Sequence, residues 1–193
     1  MEPPLTPPIP FRALQGPRVT VRQWVEDDLG PFTTMNADPA VTEFFPKPAT
    51  PQESLEVFNR LRREIDSRGW GLFAVESQGR LIGSAGLAVP KTQFHFMPCI
   101  EIGYRFLPQF WGQGFAFEAS RVVLQFGFSQ LGLREIVAYT ARLNLRSQRL
   151  MQRLGMTRAS SDDFENPNIP EGHRLRPHVL YRIRNDCAAA CRP

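Results

Sequence analysis

Lysine is nearly missing from this chain: only Lys47 and Lys91 stand among its 23 basic residues, and the rest are arginine. Cysteine is scarce as well. Cys99, Cys187 and Cys191 make no CxxC pair and have no histidine at zinc spacing. Neither a disulfide framework nor a metal site is expected from them, and free thiols in a reducing compartment fit the pattern. The three histidines, His95, His173 and His178, belong to no triad pattern, and no G-x-S-x-G turn accompanies them, so structural or surface roles are expected. No run of about 18 apolar residues exists, which excludes a membrane-spanning helix. The opening residues, Met1 to Pro8, have neither a basic start nor an apolar stretch. No signal peptide is read there, and a cytoplasmic location is the expectation.

What is present is ordinary in bulk. A length of 193 residues suits one domain, and 42% hydrophobic with 22% charged residues excludes disorder of the whole chain. A net charge of +4 admits an anionic partner without requiring one. Residues 1–17 are proline-rich and are read as a mobile lead-in; residues 18–184 form the domain, and 185–193 an Ala-rich frayed tail. Alternation over 18–24 predicts a strand, and acids at 26–28 precede a helix broken at Asp38-Pro39. Thr50-Pro51-Gln52-Glu53 is a cap, a proline at the first helical position and an acid two residues further, opening a helix that stops near Gly69. Strands follow at 70–76 and 80–87 across a Gln78-Gly79 turn, and then at 100–106. A helix over 113–130, a strand at 135–140, and a helix capped by Asn144 and closed by Gly155 come next. A strand from Met156 and one over 178–183 complete an α+β domain built on a mixed sheet of about seven strands with helices on both faces.

The most informative stretch joins the strand Ile100–Phe106 to the best helix. It reads Gln109-Phe110-Trp111-Gly112-Gln113-Gly114-Phe115-Ala116. Two glycines permit positive φ and close backbone approach, and the amides of a helix's first turn have no internal partner. With the helix dipole, such a turn is suited to a phosphate or pyrophosphate. A glycine-rich packing turn would look the same. A dinucleotide fingerprint needs a small residue where Phe117 stands, and a Walker loop needs Lys then Ser or Thr where Phe115-Ala116 stand, so both are excluded.

The Q-x-x-G-x-G pattern over Gln109–Gly114 resembles that of the GNAT superfamily of coenzyme-A-dependent N-acetyltransferases. The text Glu101-Ile102-Gly103-Tyr104, then Trp111-Gly112-Gln113-Gly114-Phe115-Ala116-Phe117-Glu118-Ala119, is similar to the RimJ/RimL-like branch. Asn144-Leu145-Arg146-Ser147 followed by Leu154-Gly155-Met156 fits a second block of that branch. The resemblance covers roughly residues 18–184 and implies a GNAT-like fold with acetyl-coenzyme A as co-substrate and no metal. It implies pyrophosphate contacts from the amides of Phe110 to Ala116, and pantetheine contacts from the backbone of Tyr104, Arg105 and Phe106. Gln109 belongs to the same loop, while Asn144 either contacts the pantetheine arm or only caps its helix.

Chemistry follows from the same resemblance. Attack of an amine on a thioester needs a base, and Glu101 is the acid on the key strand; it is either that base or a structural anchor. A backbone amide near Tyr104 to Phe106 is the expected oxyanion donor. Many superfamily members place a tyrosine on the helix after the next strand, but this chain has Ser147, a poor acid better suited to hydrogen-bonding the sulfur. Arg142, Arg146, Arg149, Arg153 and Arg158 run without one acid; Arg149 is assigned to the cofactor phosphates, the alternative being a solvated basic face. The acceptor is an amine, a protein N-terminus or a small amine. Its binding is assigned to Phe44-Phe45-Pro46, the helix opening at Thr50, Trp70 and the loop 161–177, the aromatics being alternatively core, and Asp162-Asp163-Phe164-Glu165 either attracts a cation or is merely solvated. Nucleic acid is not expected, for the basic residues lack interleaved aromatics, and a homodimer is the family-level expectation. A non-catalytic acyl-coenzyme A sensor is the competing reading.

Overall fold

A computed structural model describes residues 13–185. The prolines before position 11, and Cys187 and Cys191, lie outside the described residues. Strands β1 (Leu14–Gln15), β2 (Thr20–Arg22), β3 (Leu72–Ser77), β4 (Arg80–Ala88), β5 (Glu101–Phe106), β6 (Glu135–Ala141), β7 (Phe164–Glu165) and β8 (Pro177–Arg184) form one sheet in the order β1-β2-β3-β4-β5-β6-β8-β7. Every neighbouring pair is antiparallel except β5 with β6. Four helices, α1 (Leu29–Ala37), α2 (Pro51–Arg68), α3 (Phe115–Ser129) and α4 (Leu145–Arg153), cover the sheet.

Local chemistry sets most boundaries. Thr50 caps α2 by accepting from the Glu53 amide while Glu53 accepts from the Thr50 amide at 2.8 Å, and Gly69 ends the helix at φ 76°. The β3–β4 turn places Gln78 and Gly79 at positive φ, as a two-residue hairpin of this twist requires. The first expected strand is shorter than its alternation suggested. Trp24 leaves the sheet to pack edge-on against Phe32 and Phe58, and its indole N–H bonds the Leu72 carbonyl at 2.8 Å. The strand expected from Met156 is reduced to a single bridge, Thr157 with Arg182, because Met156 is drawn into the core. Two short strands, β1 and β7, bring the count to eight instead of about seven, and β1 lies inside the segment read as a lead-in.

Side-chain direction shows which helices lie on which face. Successive strand residues point to opposite sides. Arg105 reaches Asn36 on α1, whereas its neighbour Tyr104 reaches Ser147 on α4. Leu87 pairs with Ile102 and so shares the Tyr104 face, and it lies under Gly127 of α3. So α3 and α4 cover one face, and the α1–α2 pair covers the other. Between β3 and β4 the backbones approach so closely that a Cβ on Gly86 would sit 2.0 Å from the Gly71 carbonyl oxygen.

Candidate active site

Two antiparallel halves meet at β5 and β6. β5 is paired along six positions with β4, and β6 along seven with β8, yet β5 and β6 share only the pair Glu101–Val137. The Val137 amide bonds the Ile100 carbonyl at 2.9 Å, and beyond that point the strands part. In an antiparallel ladder alternate residues direct both polar groups to the same neighbour. The Leu107 amide bonds Ile82 of β4, so Gly103 and Arg105 also face β4, while Ile102, Tyr104 and Phe106 face the gap. The Phe106 carbonyl there accepts from the Trp111 indole at 2.7 Å. Of the three residues expected to offer backbone to a pantetheine arm, Tyr104 and Phe106 face the opening. Arg105 is corrected: its main chain is turned to β4 and its side chain to α1. An edge of this kind can accept an extended ligand as an added strand.

The loop after β5 ends at α3. Gly112 and Gly114 stand at φ 72° and 85°, a region unfavourable to residues with a Cβ. No side chain caps α3, so its first-turn amides, Phe115 and Ala116 among them, point outward as anion donors. A Cβ on Gly112 would meet nothing within 4 Å, so the space above the loop is open. The Gln113 side chain closes the loop by donating to the Gln109 carbonyl at 2.7 Å, and Phe110 packs edge-on against Phe115. An extended open edge leading to a nest of free amides fits the arm and pyrophosphate of coenzyme A.

The motif's glutamate has a structural task. Glu118 accepts from Arg18 Nε at 2.9 Å, from the Arg18 amide, and from the Val19 amide at 3.1 Å. Arg18 also donates to the Gln113 carbonyl and lies 4.6 Å over the Phe115 ring. Together these clamp the entry to β2 onto the glycine loop.

Acid–base groups are divided by the sheet. On the α3–α4 face the Tyr104 and Ser147 hydroxyls are 2.8 Å apart, and burial pushes Tyr104 up to about 12. Asn144 Oδ1 accepts from the Ser147 amide at 3.1 Å and its Nδ2 donates to Thr140, so its side chain positions Ser147. On the α1–α2 face Glu101 stands where β5 and β6 begin to part. Burial raises its pKa, and a hydrogen bond from the Tyr139 hydroxyl opposes that rise. Tyr139 sits among Phe94, Phe96, Phe164 and His178, an aromatic wall that accounts for the apolar surroundings. Burial and the neighbouring Glu101 charge also push the Cys99 thiol up to about 11. The roles of Tyr139 and of the Tyr104 hydroxyl were not legible in sequence, because both depend on contacts between distant elements. The one available hint was strand alternation for Tyr139, which stands two residues after Val137, the partner of Glu101.

The run of five arginines divides. Arg142 and Arg158 both pair with Asp163. Arg146 lies 4.4 Å over the Trp111 ring and pairs with Glu43 at 2.6 Å, and Arg153 lies 4.8 Å over Phe117. Arg149, between them on α4, is exposed. Two of the row thus stack on aromatics of the glycine loop and α3. The acidic cluster of the late loop is already neutralised: Asp162 pairs with Arg182, Asp163 with Arg158, and Glu165 with Arg176. It is not a free cation site. Among the described residues no group of three or more His, Cys, Asp or Glu could hold a metal ion, and no helix is long and apolar enough to cross a membrane.

Comparison with known proteins shows the family and the fold. A family described as "Acetyltransferase (GNAT) domain" matches residues 18–157. The chain is 32% identical over 163 residues to "FsC-acetyl coenzyme A-N(2)-transacetylase" of Aspergillus fumigatus, covering 79% of this chain and 67% of that protein. The fold is similar to a solved GNAT-family acetyltransferase from Bacillus anthracis, with TM-score 0.73, 23% identity, and coverage of 90% of this chain and 98% of the other. It is also similar to spermidine N-acetyltransferase from Vibrio cholerae, solved with CoA and spermine, with TM-score 0.70, 21% identity, and coverage of 88% and 96%. The mixed eight-stranded sheet, its single-pair parting at β5 and β6, and these matches place the chain in the GNAT acetyltransferase family, whose members use acetyl-coenzyme A as acetyl donor.

Proposed function

We propose that this protein acetylates a primary amine, a protein N-terminus or a small amine, in the manner of the RimJ/RimL-like branch that its Trp111–Ala119 text resembles. One observation carries the reading. The open edge of β5 lies between a buried carboxylate on one face, Glu101, and a hydroxyl pair on the other, Tyr104 with Ser147. Bound acetyl-coenzyme A supplies an acyl carbon activated as a thioester.

The chain's own groups serve the other steps. Amides of Phe115 and Ala116 and the α3 dipole hold the pyrophosphate, with Arg149 and its neighbours on α4 near the remaining phosphate. Glu101, with its affinity for a proton raised by burial, takes one proton from the incoming ammonium and so frees the nitrogen lone pair that then forms the C–N bond. The Tyr104 amide, turned to the gap, donates to the carbonyl oxygen as negative charge grows on it. As the C–S bond breaks, Ser147, held by Tyr104 and Asn144, hydrogen-bonds the departing sulfur, which is protonated through solvent by the second proton that the acylated nitrogen sheds. A module that only binds acyl-coenzyme A has no use for a carboxylate kept costly in an aromatic wall. The test is coenzyme A release from a panel of peptide N-termini and small amines. Turnover of at least one amine is expected; measured cofactor binding with background release throughout would overturn the reading.

A further inference from the structure

Six arginines are half-buried among the described residues: Arg22, Arg60, Arg62, Arg105, Arg176 and Arg182. Five hold a carboxylate. Arg22 pairs with Asp28 and Glu76, Arg60 with Glu64, Arg62 with Glu26, Arg176 with Glu165, and Arg182 with Asp162 and Glu135. Arg105 alone of the six has none among the described residues. Its guanidinium donates one hydrogen bond, to Asn36 Oδ1, and lies 4.3 Å over the Phe45 ring. Burial lowers its pKa to about 10, which leaves it charged at neutral pH. A guanidinium carries five donors in a fixed fork that matches a carboxylate. Withdrawing that charge from water without a counter-charge is costly unless a ligand supplies one.

Its position says which ligand. Arg105 is on the same strand face as Glu101, and Phe45 comes from the loop between α1 and α2 that closes over that face. The cofactor's anion nest at α3 belongs to the opposite face. We propose that Arg105 binds a carboxylate of the acceptor, so that the preferred substrate is an amine carrying a carboxylate elsewhere in the same molecule. This rests on the acetyl-transfer reading above.

The test is a series of ω-amino acids from glycine to 6-aminohexanoate, each compared with its carboxamide, in two measurements. Coenzyme A release gives kcat/KM, and calorimetry gives binding of the acids to the coenzyme-A-bound protein. At least one acid is expected to exceed its amide by about 10- to 100-fold in kcat/KM, the worth of a charge-assisted hydrogen bond. Arg105→Gln should bring that ratio close to one through KM, and Arg105→Lys should restore part of it. Turnover with acid and amide alike, or a preference that survives Arg105→Gln, overturns the carboxylate site and leaves acetyl transfer standing. Arg105-dependent binding of an acid with no coenzyme A release from any amine supports the site and removes the transfer reading.

Discussion

At the scale of single residues, Glu101 offers the sharpest test. A general base contributes about 10²–10⁴-fold, so Glu101→Gln should lower kcat by at least about 100-fold while cofactor affinity, read by calorimetry, stays within a few-fold. Burial raises the Glu101 pKa in the folded protein. In the proposed mechanism the working base is the carboxylate, so kcat should fall as pH drops through that raised value, and Glu101→Gln should flatten this limb. Stability runs the other way. A carboxyl group with a raised folded pKa contributes stability below its unfolded value and loses it as pH rises through the folded one. Thermal unfolding at pH 8 should therefore show Glu101→Gln no less stable than the parent. The acid itself was legible in sequence as the one carboxyl on its strand. Its reason for a raised pKa, burial, was not, because that burial depends on the fold, which also brings Tyr139, with Phe94 and Phe164 packed on its ring, from segments far apart along the chain.

At the scale of elements, the chain declared its helices through their ends. The Thr50–Glu53 box, the Asn144 cap and Gly155 at φ 81° all act within one turn, and sequence reads interactions of that range well. The glycine loop belongs to the same class. Gly112→Val should put a β-branched residue at φ 72°, where strain of about 1–2 kcal/mol is expected. The valine would also fill the open space over the first-turn amides. Loss of coenzyme A binding by calorimetry, with a cooperative thermal transition retained, is the expected outcome; unchanged binding would remove the anion site from this loop. Elements set by distant pairing were less legible. Trp24 alternates correctly for a strand, but its ring gains more from Phe32 and Phe58 than from extending β2. The acidic run at 162–165 reads as one feature along the chain, and only the fold shows each acid committed to a different arginine.

For the whole molecule, fold class was legible, and so was the place of the candidate site, since the strand and helix order together with one glycine loop puts a loop suited to an anion at the end of a central strand. The sidedness of the chemistry was not. It depends on whether each side chain of β5 points up or down, a matter of register that a shift of one residue would invert. That sidedness governs turnover. On the proposed mechanism the cofactor lodges from the α3–α4 face and the amine arrives from the α1–α2 face, so each has its own approach to the gap. Neither must vacate before the other enters, and no acetylated form of the protein is needed between them. Initial-rate plots against one substrate at several fixed levels of the other should give intersecting lines; parallel lines would contradict a shared gap with two entrances. On that reading the parting of β5 from β6 gives the two substrates one meeting place, reached by each without taking turns.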